Sequence, residues 1–199
     1  MPGGGWHLVR RMEESMRILL VYATVEGQTR KIADHVAERL SGGGNDVTQI
    51  DATDVHKAPD ASAFDVAIVA APVHIGTFPA QLRRFVEKNS ATLMARPGAF
   101  VSVSLTAASA DESEIAELDQ IVEKFSQETG WWPVSIHNAA GALKYTEYDF
   151  FRRWMLKRIA RKEGGPTDTN RDHEFTDWVA LDKFVDEFVA QAPHVAGKI

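Results

Sequence analysis

Short apolar runs alternate with helix-length amphipathic segments along this chain of 199 residues. Two of the runs, Ile18–Ala23 and Val66–Ala71, are continuous and mostly aliphatic, which is typical of strands that a parallel sheet buries on both faces. Asp46–Asp51 alternates polar and apolar residues, and this pattern predicts a half-exposed edge strand. Ala99–Leu105 and Val134–Leu143 complete a set of five predicted strands. Five strands alternating with helices predict an α/β doubly wound fold.

Four segments repeat apolar residues at helical spacing. The first covers residues 29–41, and the glycines at 42–44 are expected to end it. The second begins at Pro79, because proline favours the first turn of a helix, and carries Leu82, Phe85, Val86 and Leu93 on one face. The third and fourth helices are predicted from the apolar residues Ile115, Leu118, Ile121, Val122 and Phe125, and Trp178, Leu181, Val185 and Phe188.

One domain is predicted over residues 17–199, after a disordered N-terminal extension over residues 1–16. Residues 144–174, between the fifth strand and the last helix, are longer than an ordinary connection and are predicted to be an insertion. The longest apolar runs contain about six residues, whereas about 20 are needed to span a bilayer. The extension also lacks the apolar centre of a signal peptide, so a cytoplasmic location is expected.

Composition excludes several kinds of chemistry. The chain has no cysteine, which excludes disulfides, thiolate nucleophiles and thiolate-ligated metal clusters. Its seven histidines are scattered without the spacing of metal ligands, so no metal site is predicted. The net charge of −6 argues against a nucleic-acid partner. The sequence leaves the oligomeric state open.

The loop after the first predicted strand has the composition of a phosphate cradle. In doubly wound folds, ligands bind at the carboxyl ends of the strands. Two hydroxyls, a glycine and the free amides of a helix start can together hold a phosphate. The alternative is an ordinary turn in which Thr29 caps the helix. Nucleotide-binding glycine motifs are absent from the sequence. The residues concerned are Thr24, Val25, Glu26, Gly27, Gln28 and Thr29.

Several segments resemble a known family. ATVEGQTRKIA resembles the phosphate loop of flavodoxins, and AAPVHIG after the third strand resembles their second flavin loop. GALKYTEYDFFRRWM and GGPTDTNRDHEFTDW resemble the bacterial menaquinone-dependent protoporphyrinogen dehydrogenases, a flavodoxin-like branch with an insertion at this point. The resemblance implies a flavodoxin-like five-stranded parallel sheet in the order 2-1-3-4-5 and FMN as the cofactor. It further implies oxidation of protoporphyrinogen IX, with electrons passed to menaquinone or ubiquinone.

The same resemblance implies which residues hold the flavin. It offers no catalytic side chain apart from His74, a candidate proton donor for which a solvated or capping histidine is the alternative. His74 and Ile75 stand where the family has a basic and an aromatic residue, and Phe78 is expected to supply the missing ring stacking. The implied FMN-binding residues are Thr24, Val25, Glu26, Gly27, Gln28, Thr29, Pro72, Val73, His74, Ile75, Gly76, Leu105, Thr106 and Ala107.

Charge is distributed unevenly around the predicted site. Tyr148–Lys162 has six basic residues and one acidic residue, a pattern typical of an interfacial helix against an anionic membrane surface. The alternative is that its aromatic residues pack on the protein's own sheet. Ala108–Glu117 is acidic where the family is basic, which makes it a poor host for the propionates of a porphyrinogen. The residues left to bind substrate or membrane are Lys144, Arg152, Arg153, Lys157 and Arg158.

The resemblance thus implies an FMN-dependent dehydrogenase, which is expected in the cytoplasm. A peripheral position on the inner face of the cytoplasmic membrane stays open, since it depends on whether the basic segment meets lipid or packs on the protein's own sheet. Three alternatives stay open. The chain is a flavodoxin-type electron carrier, an FMN-dependent quinone reductase with a different substrate, or a binding module of the same fold without a flavin.

Overall fold

A computed structural model of the chain describes residues 15–54, 59–109, 111–143 and 173–196. Five parallel strands form one sheet in the order β2-β1-β3-β4-β5, which confirms the predicted fold class and strand order. The strands are β1 (Arg17–Tyr22), β2 (Asp46–Asp51), β3 (Val66–Pro72), β4 (Gly98–Ser104) and β5 (Ser135–Ala140).

Burial along the strands follows their place in the sheet. β3 and β4 are buried along almost their whole length because helices cover both faces of the sheet centre. β2, the edge strand predicted from alternation, buries only Ile50 fully. The apolar runs of the sequence therefore mark the sheet centre, and the alternating run marks its edge.

The fifth strand is shorter than the predicted Val134–Leu143. β5 ends at Ala140, and after Gly141 the chain forms a separate strand, β6 (Ala142–Leu143). β6 pairs antiparallel with β7 (His173–Glu174), the other end of the predicted insertion. The backbone amide of Gly141 still donates to the Ser104 carbonyl at 3.0 Å, and the Gly141 carbonyl accepts from Phe175 at 3.1 Å. The chain leaves the main sheet here because β6 pairs with β7, which lies about 30 residues further along the chain, and not with β4.

Within the described ranges, four helices flank the sheet: α1 (Gln28–Gly42), α2 (Ala80–Met94), α3 (Glu112–Thr129) and α4 (Trp178–Ala196). α2 and α3 pack on one face of the sheet, where Leu82, Phe85 and Phe125 join a core that includes Leu19 and Val21 of β1. α1 and α4 pack on the other face, where they meet Ile18 and Leu20 of the same strand. The two helix layers bury alternate residues of every central strand, which is the doubly wound arrangement.

Phe78 lies in the core between the sheet and α3. Only 2% of the residue is exposed, and its ring lies 4.9 Å from that of Phe100 and 5.0 Å from that of Phe125, measured between centroids. The expectation that Phe78 stacks on a flavin ring is therefore wrong. Burial of its aromatic surface among other aromatic rings outweighs exposure at the loop.

Several sequence predictions fall outside the described residues. These include residues 1–14 of the predicted N-terminal extension and nearly all of the predicted basic insertion. Met16 is described, and its amide donates to Asn45 Oδ1 at 3.2 Å. Among the helices that the structure describes, none is both long and apolar enough to cross a bilayer. No cluster of potential metal ligands occurs within the described ranges.

Candidate functional site

Three loops meet at the carboxyl edge of the sheet. They follow β1, β3 and β4, which are neighbours in the strand order and run in parallel. The connections from β1 and β3 leave toward opposite faces, because α1 and α2 lie on opposite sides of the sheet. This is the topological switch point, where open α/β sheets leave a crevice for a ligand.

The loop after β1 is shaped by a hydroxyl and a glycine. Thr24 Oγ1 accepts a hydrogen bond from the Gly27 amide at 2.9 Å. Gly27 has φ 93°, a left-handed conformation that glycine adopts without steric cost. α1 begins at the next residue, and its first helical hydrogen bond runs from the Lys31 amide to the Gly27 carbonyl at 3.1 Å.

The first turn of α1 supplies unpaired donors. Gly27 occupies the cap position and provides no side-chain cap, so the alternative in which Thr29 caps the helix is wrong. Thr29 is instead the second residue of the helix and is only 2% exposed. No residue that the structure describes accepts a hydrogen bond from the amides of Gln28, Thr29 or Arg30. Amides at a helix start, aided by the helix dipole, suit a phosphate group.

The loop after β3 is a tight turn with unusual backbone geometry. His74 and Thr77 exchange two backbone hydrogen bonds, of 2.8 and 3.2 Å. The two residues between them, Ile75 and Gly76, have φ angles of 49° and 69°. A β-branched residue at positive φ is strained, and such strain is concentrated at functional sites. The turn leaves the Ile75 side chain 90% exposed, as an apolar surface above the sheet edge.

The loop after β4 continues into a short 3-10 turn, Thr106–Ala108. Ser104 Oγ accepts a hydrogen bond from the Ala107 amide at 3.1 Å and fixes the start of this turn. Leu105, Thr106 and Ala107 are half-buried beside the switch point. The structure thus brings the three predicted flavin loops to one sheet edge, although Phe78 does not belong to it.

The acidic stretch after β4 has a structural role at the start of α3. Asp111 Oδ1 accepts a hydrogen bond from the Ser113 amide at 3.0 Å and caps the helix. Glu112 and Glu114 lie in the first turn, where carboxylates are favoured by the positive end of the helix dipole. Acidic residues are therefore expected here for helix formation, whatever ligand binds nearby.

Tyr22, the last residue of β1, keeps its phenol neutral next to the first loop. Burial raises its pKa above the ordinary value, and the nearby Asp51 carboxylate raises it further. A neutral phenol at this position places no negative charge beside a phosphate cradle. Tyr22 is only 5% exposed.

The structure also reveals a residue that the sequence analysis missed. Thr176, which precedes α4, accepts a hydrogen bond from Gln28 Nε2 at 3.0 Å. These two residues are 148 positions apart, so no local pattern connects them. In contrast, the predicted substrate- or membrane-binding residues Lys144, Arg152, Arg153, Lys157 and Arg158 all lie outside the described residues.

Comparison with known proteins identifies relatives over most of the chain. The family model of the flavodoxin domain matches residues 19–170. The protoporphyrinogen IX dehydrogenase (quinone) of Escherichia coli strain K12 is 32% identical over 174 residues, covering 86% of this chain and 94% of that protein. The protein of the same name from Leishmania major is 32% identical over 182 residues, covering 89% of this chain and 76% of the relative.

Solved structures share the fold at lower sequence identity. A short-chain flavodoxin associated with a non-canonical PDU bacterial microcompartment superposes with a TM-score of 0.53 and 17% identity. The match covers 89% of this chain and 99% of that flavodoxin. At this identity the likeness extends to the fold alone.

Proposed function

The chain belongs to the flavodoxin domain family, in the branch of the quinone-dependent protoporphyrinogen IX dehydrogenases, and on that premise we propose its reaction. It oxidises protoporphyrinogen IX to protoporphyrin IX in two-electron steps, with FMN as cofactor and a quinone as electron acceptor. The observation that carries the proposal is 32% identity over 94% of the Escherichia coli dehydrogenase, a span far longer than the phosphate loop.

The residues at the switch point fit FMN. The first loop offers three features that suit a phosphate. The amides of residues 28–30 have no hydrogen-bond acceptor among the described residues, the Thr24 hydroxyl lies in the same loop, and Gly27 has a left-handed conformation. A Cβ on Gly27 or on Gly76 would meet no atom within 4 Å, so both loops border open space above the sheet edge. An isoalloxazine ring needs apolar contacts with a few polar groups at its edge. Ile75 and Leu105 offer the first, and Thr106 the second.

Each loop has its own task in this mechanism. Bound FMN supplies the two-electron redox chemistry, which no side chain of this chain can supply. Residues 24–29 would hold the phosphate and so fix one end of the cofactor. Residues 72–76 and 105–107 would border the isoalloxazine ring. His74 is exposed in the turn after β3 and is the proposed proton donor.

A matched pair of glycine variants tests the cofactor site. Gly27→Ala introduces a Cβ at φ 93° and costs about 1–2 kcal/mol in the binding-competent loop. We expect it to weaken FMN binding about ten-fold, measured by quenching of flavin fluorescence during titration of flavin-free protein. Gly42→Ala, at the other end of the same helix, meets no atom within 4 Å and should bind FMN as the unaltered protein does.

The reaction itself is tested by porphyrin fluorescence. Protein loaded with FMN should convert protoporphyrinogen IX to fluorescent protoporphyrin IX when menaquinone or ubiquinone is supplied without oxygen. A flavin-loaded protein that never forms porphyrin, yet passes electrons between a reductase and an acceptor, would be an electron carrier. A protein that takes up no FMN would exclude both functions.

The quinone acceptor dissolves in membranes, and we propose that the basic segment Tyr148–Lys162 brings the enzyme to an anionic bilayer surface on the cytoplasmic side. The support is the segment's sequence, with six basic residues and one acidic residue. Flotation with anionic vesicles tests this contact. We expect binding that is lost when Arg152, Arg153, Lys157 and Arg158 are changed to Glu. Binding that persists in that variant would exclude the segment as the membrane contact.

A further inference from the structure

A chain of hydrogen bonds links the first turn of α1 to two distant parts of the fold. Gln28 Nε2 donates to Thr176 Oγ1 at 3.0 Å, and Thr176 Oγ1 donates onward to the Ala140 carbonyl at 2.7 Å. Gln28 is the first residue of α1, Thr176 lies between β7 and α4, and Ala140 is the last residue of β5. Both hydrogen bonds are partly buried, so water competes with them less than at an open surface.

A second connection fastens the same turn of α1 to the same segment. Lys31 Nζ forms an ion pair with the Glu174 carboxylate in β7. The same ammonium lies 5.4 Å from the ring centroid of Trp178, the first residue of α4. The segment itself is held to the sheet, because the Phe175 amide donates to the Gly141 carbonyl at 3.1 Å. The start of α1 is therefore tied to a part of the chain that is itself fixed.

The contacts of Gln28 and Lys31 with this segment matter because the start of α1 has no side-chain cap. The first turn of a helix lacks intrahelical partners for its amides, and a side-chain cap normally orders it. Gly27 supplies no side chain, and the Gln28–Thr176 hydrogen bond connects the first helical residue to a distant part of the described fold. An anion site made of amides binds well only if those amides are oriented before the ligand arrives.

We infer that Gln28 and Thr176 are positioning residues for the FMN phosphate. Their hydrogen bond to each other, continued to Ala140, orients the amides of the α1 first turn without contacting the flavin. Gln28 Nε2 donates to Thr176, and the backbone amide of Gln28, which no described residue accepts from, is the donor that we assign to the phosphate. The inference rests on the proposed function, since it assigns these residues a role at the proposed FMN site.

The test compares FMN with riboflavin, which carries the same ring without a phosphate. We expect Gln28→Leu and Thr176→Val each to weaken FMN binding about five-fold, the effect of losing one such hydrogen bond. Riboflavin binding should not change. The double variant should bind FMN no more weakly than Thr176→Val alone, because Thr176→Val already removes the hydrogen bond to Gln28 along with the one to Ala140. Binding is measured by quenching of flavin fluorescence on flavin-free protein.

Two further variants control for general damage. Thr176→Ser retains the hydroxyl and should restore FMN binding to within a factor of two of the unaltered protein. Gln49→Leu is the matched control. Gln49 Nε2 donates to Asp34 Oδ1 of α1 at 2.6 Å, a hydrogen bond that lies away from the first turn of the helix. That variant should bind FMN normally. If Gln28→Leu does not fold, Thr176→Val removes the same hydrogen bond from its other end and decides the question.

The remaining outcomes separate this inference from the proposed function. FMN binding unchanged in both single variants would overturn the positioning role and leave the proposed function intact. Equal losses for FMN and riboflavin would also overturn it, because the damage would then not concern the phosphate. An unaltered protein that binds neither flavin would overturn the proposed function, and the inference with it.

Discussion

At the scale of single residues, Ile75 has a strained backbone conformation and an exposed apolar side chain that a ligand could contact. Its φ of 49° is a conformation that β-branched side chains avoid, and the residue is 90% exposed, so packing does not compensate for the strain. Turns with positive φ at both central positions usually contain asparagine or glycine there. An exposed isoleucine in such a turn is consistent with an apolar contact that forms only when a ligand is present.

Replacing Ile75 should therefore improve stability and impair binding. We expect Ile75→Gly to raise the free energy of unfolding of the flavin-free protein by roughly 0.5–1 kcal/mol, measured by urea denaturation. FMN should bind about five-fold more weakly, because roughly 1 kcal/mol of apolar contact with the ring is lost. Ile75→Asn, which tolerates the left-handed region, should behave in the same way. A loss of stability in both variants would contradict the strain argument.

At the scale of secondary-structure elements, β5 and α4 meet through a histidine. The ring of His137 in β5 stacks on that of Phe184 in α4, with centroids 5.0 Å apart and planes 25° apart. Burial lowers the pKa of His137 below its ordinary value of 6.5, and the Asp177 carboxylate only partly opposes this effect. The packing of β5 against α4 thus favours the neutral form of His137.

Stability should consequently fall on acidification. The unfolded chain binds a proton at His137 near pH 6.5, whereas the folded chain binds it only at lower pH. The free energy of unfolding therefore decreases as pH falls from 6.5 toward the folded pKa and levels off below it. Since one proton is involved, this slope cannot exceed about 1.4 kcal/mol per pH unit. His137→Phe should remove this component from urea-denaturation curves recorded between pH 7.5 and 5. An unchanged slope would exclude His137 as its source.

At the scale of the whole molecule, the proposed cofactor would contact loops that follow three separate strands. Those loops share one sheet edge, while the helices that follow β1 and β3 lie on opposite faces. A ligand at this edge would connect both helix layers through the sheet. Its binding energy would then be added to the stability of the entire fold, because the unfolded chain has no such edge.

Added FMN should accordingly stabilise the protein against unfolding. At a free FMN concentration 100 times the dissociation constant, we expect the free energy of unfolding to rise by about 2.7 kcal/mol, measured by urea denaturation. Gly27→Ala, compared at the same FMN concentration, should gain less because its dissociation constant is larger. A protein whose unfolding curve is the same with and without FMN would contradict the assigned cofactor.

The sequence by itself determined the first four strands of the main sheet, the four described helices and the position of the loop over residues 24–29. Local sequence patterns predict these features: aliphatic runs, helical spacing of apolar residues, and a hydroxyl–glycine turn directly before a helix. Tertiary structure decided the rest. It buried Phe78 among aromatic rings, divided the predicted fifth strand at Gly141, and joined Gln28 to Thr176 across 148 positions. The physical reason is that hydrophobic periodicity indicates which face of a helix or strand is buried. Which residues pack against that face depends on segments far away in the chain.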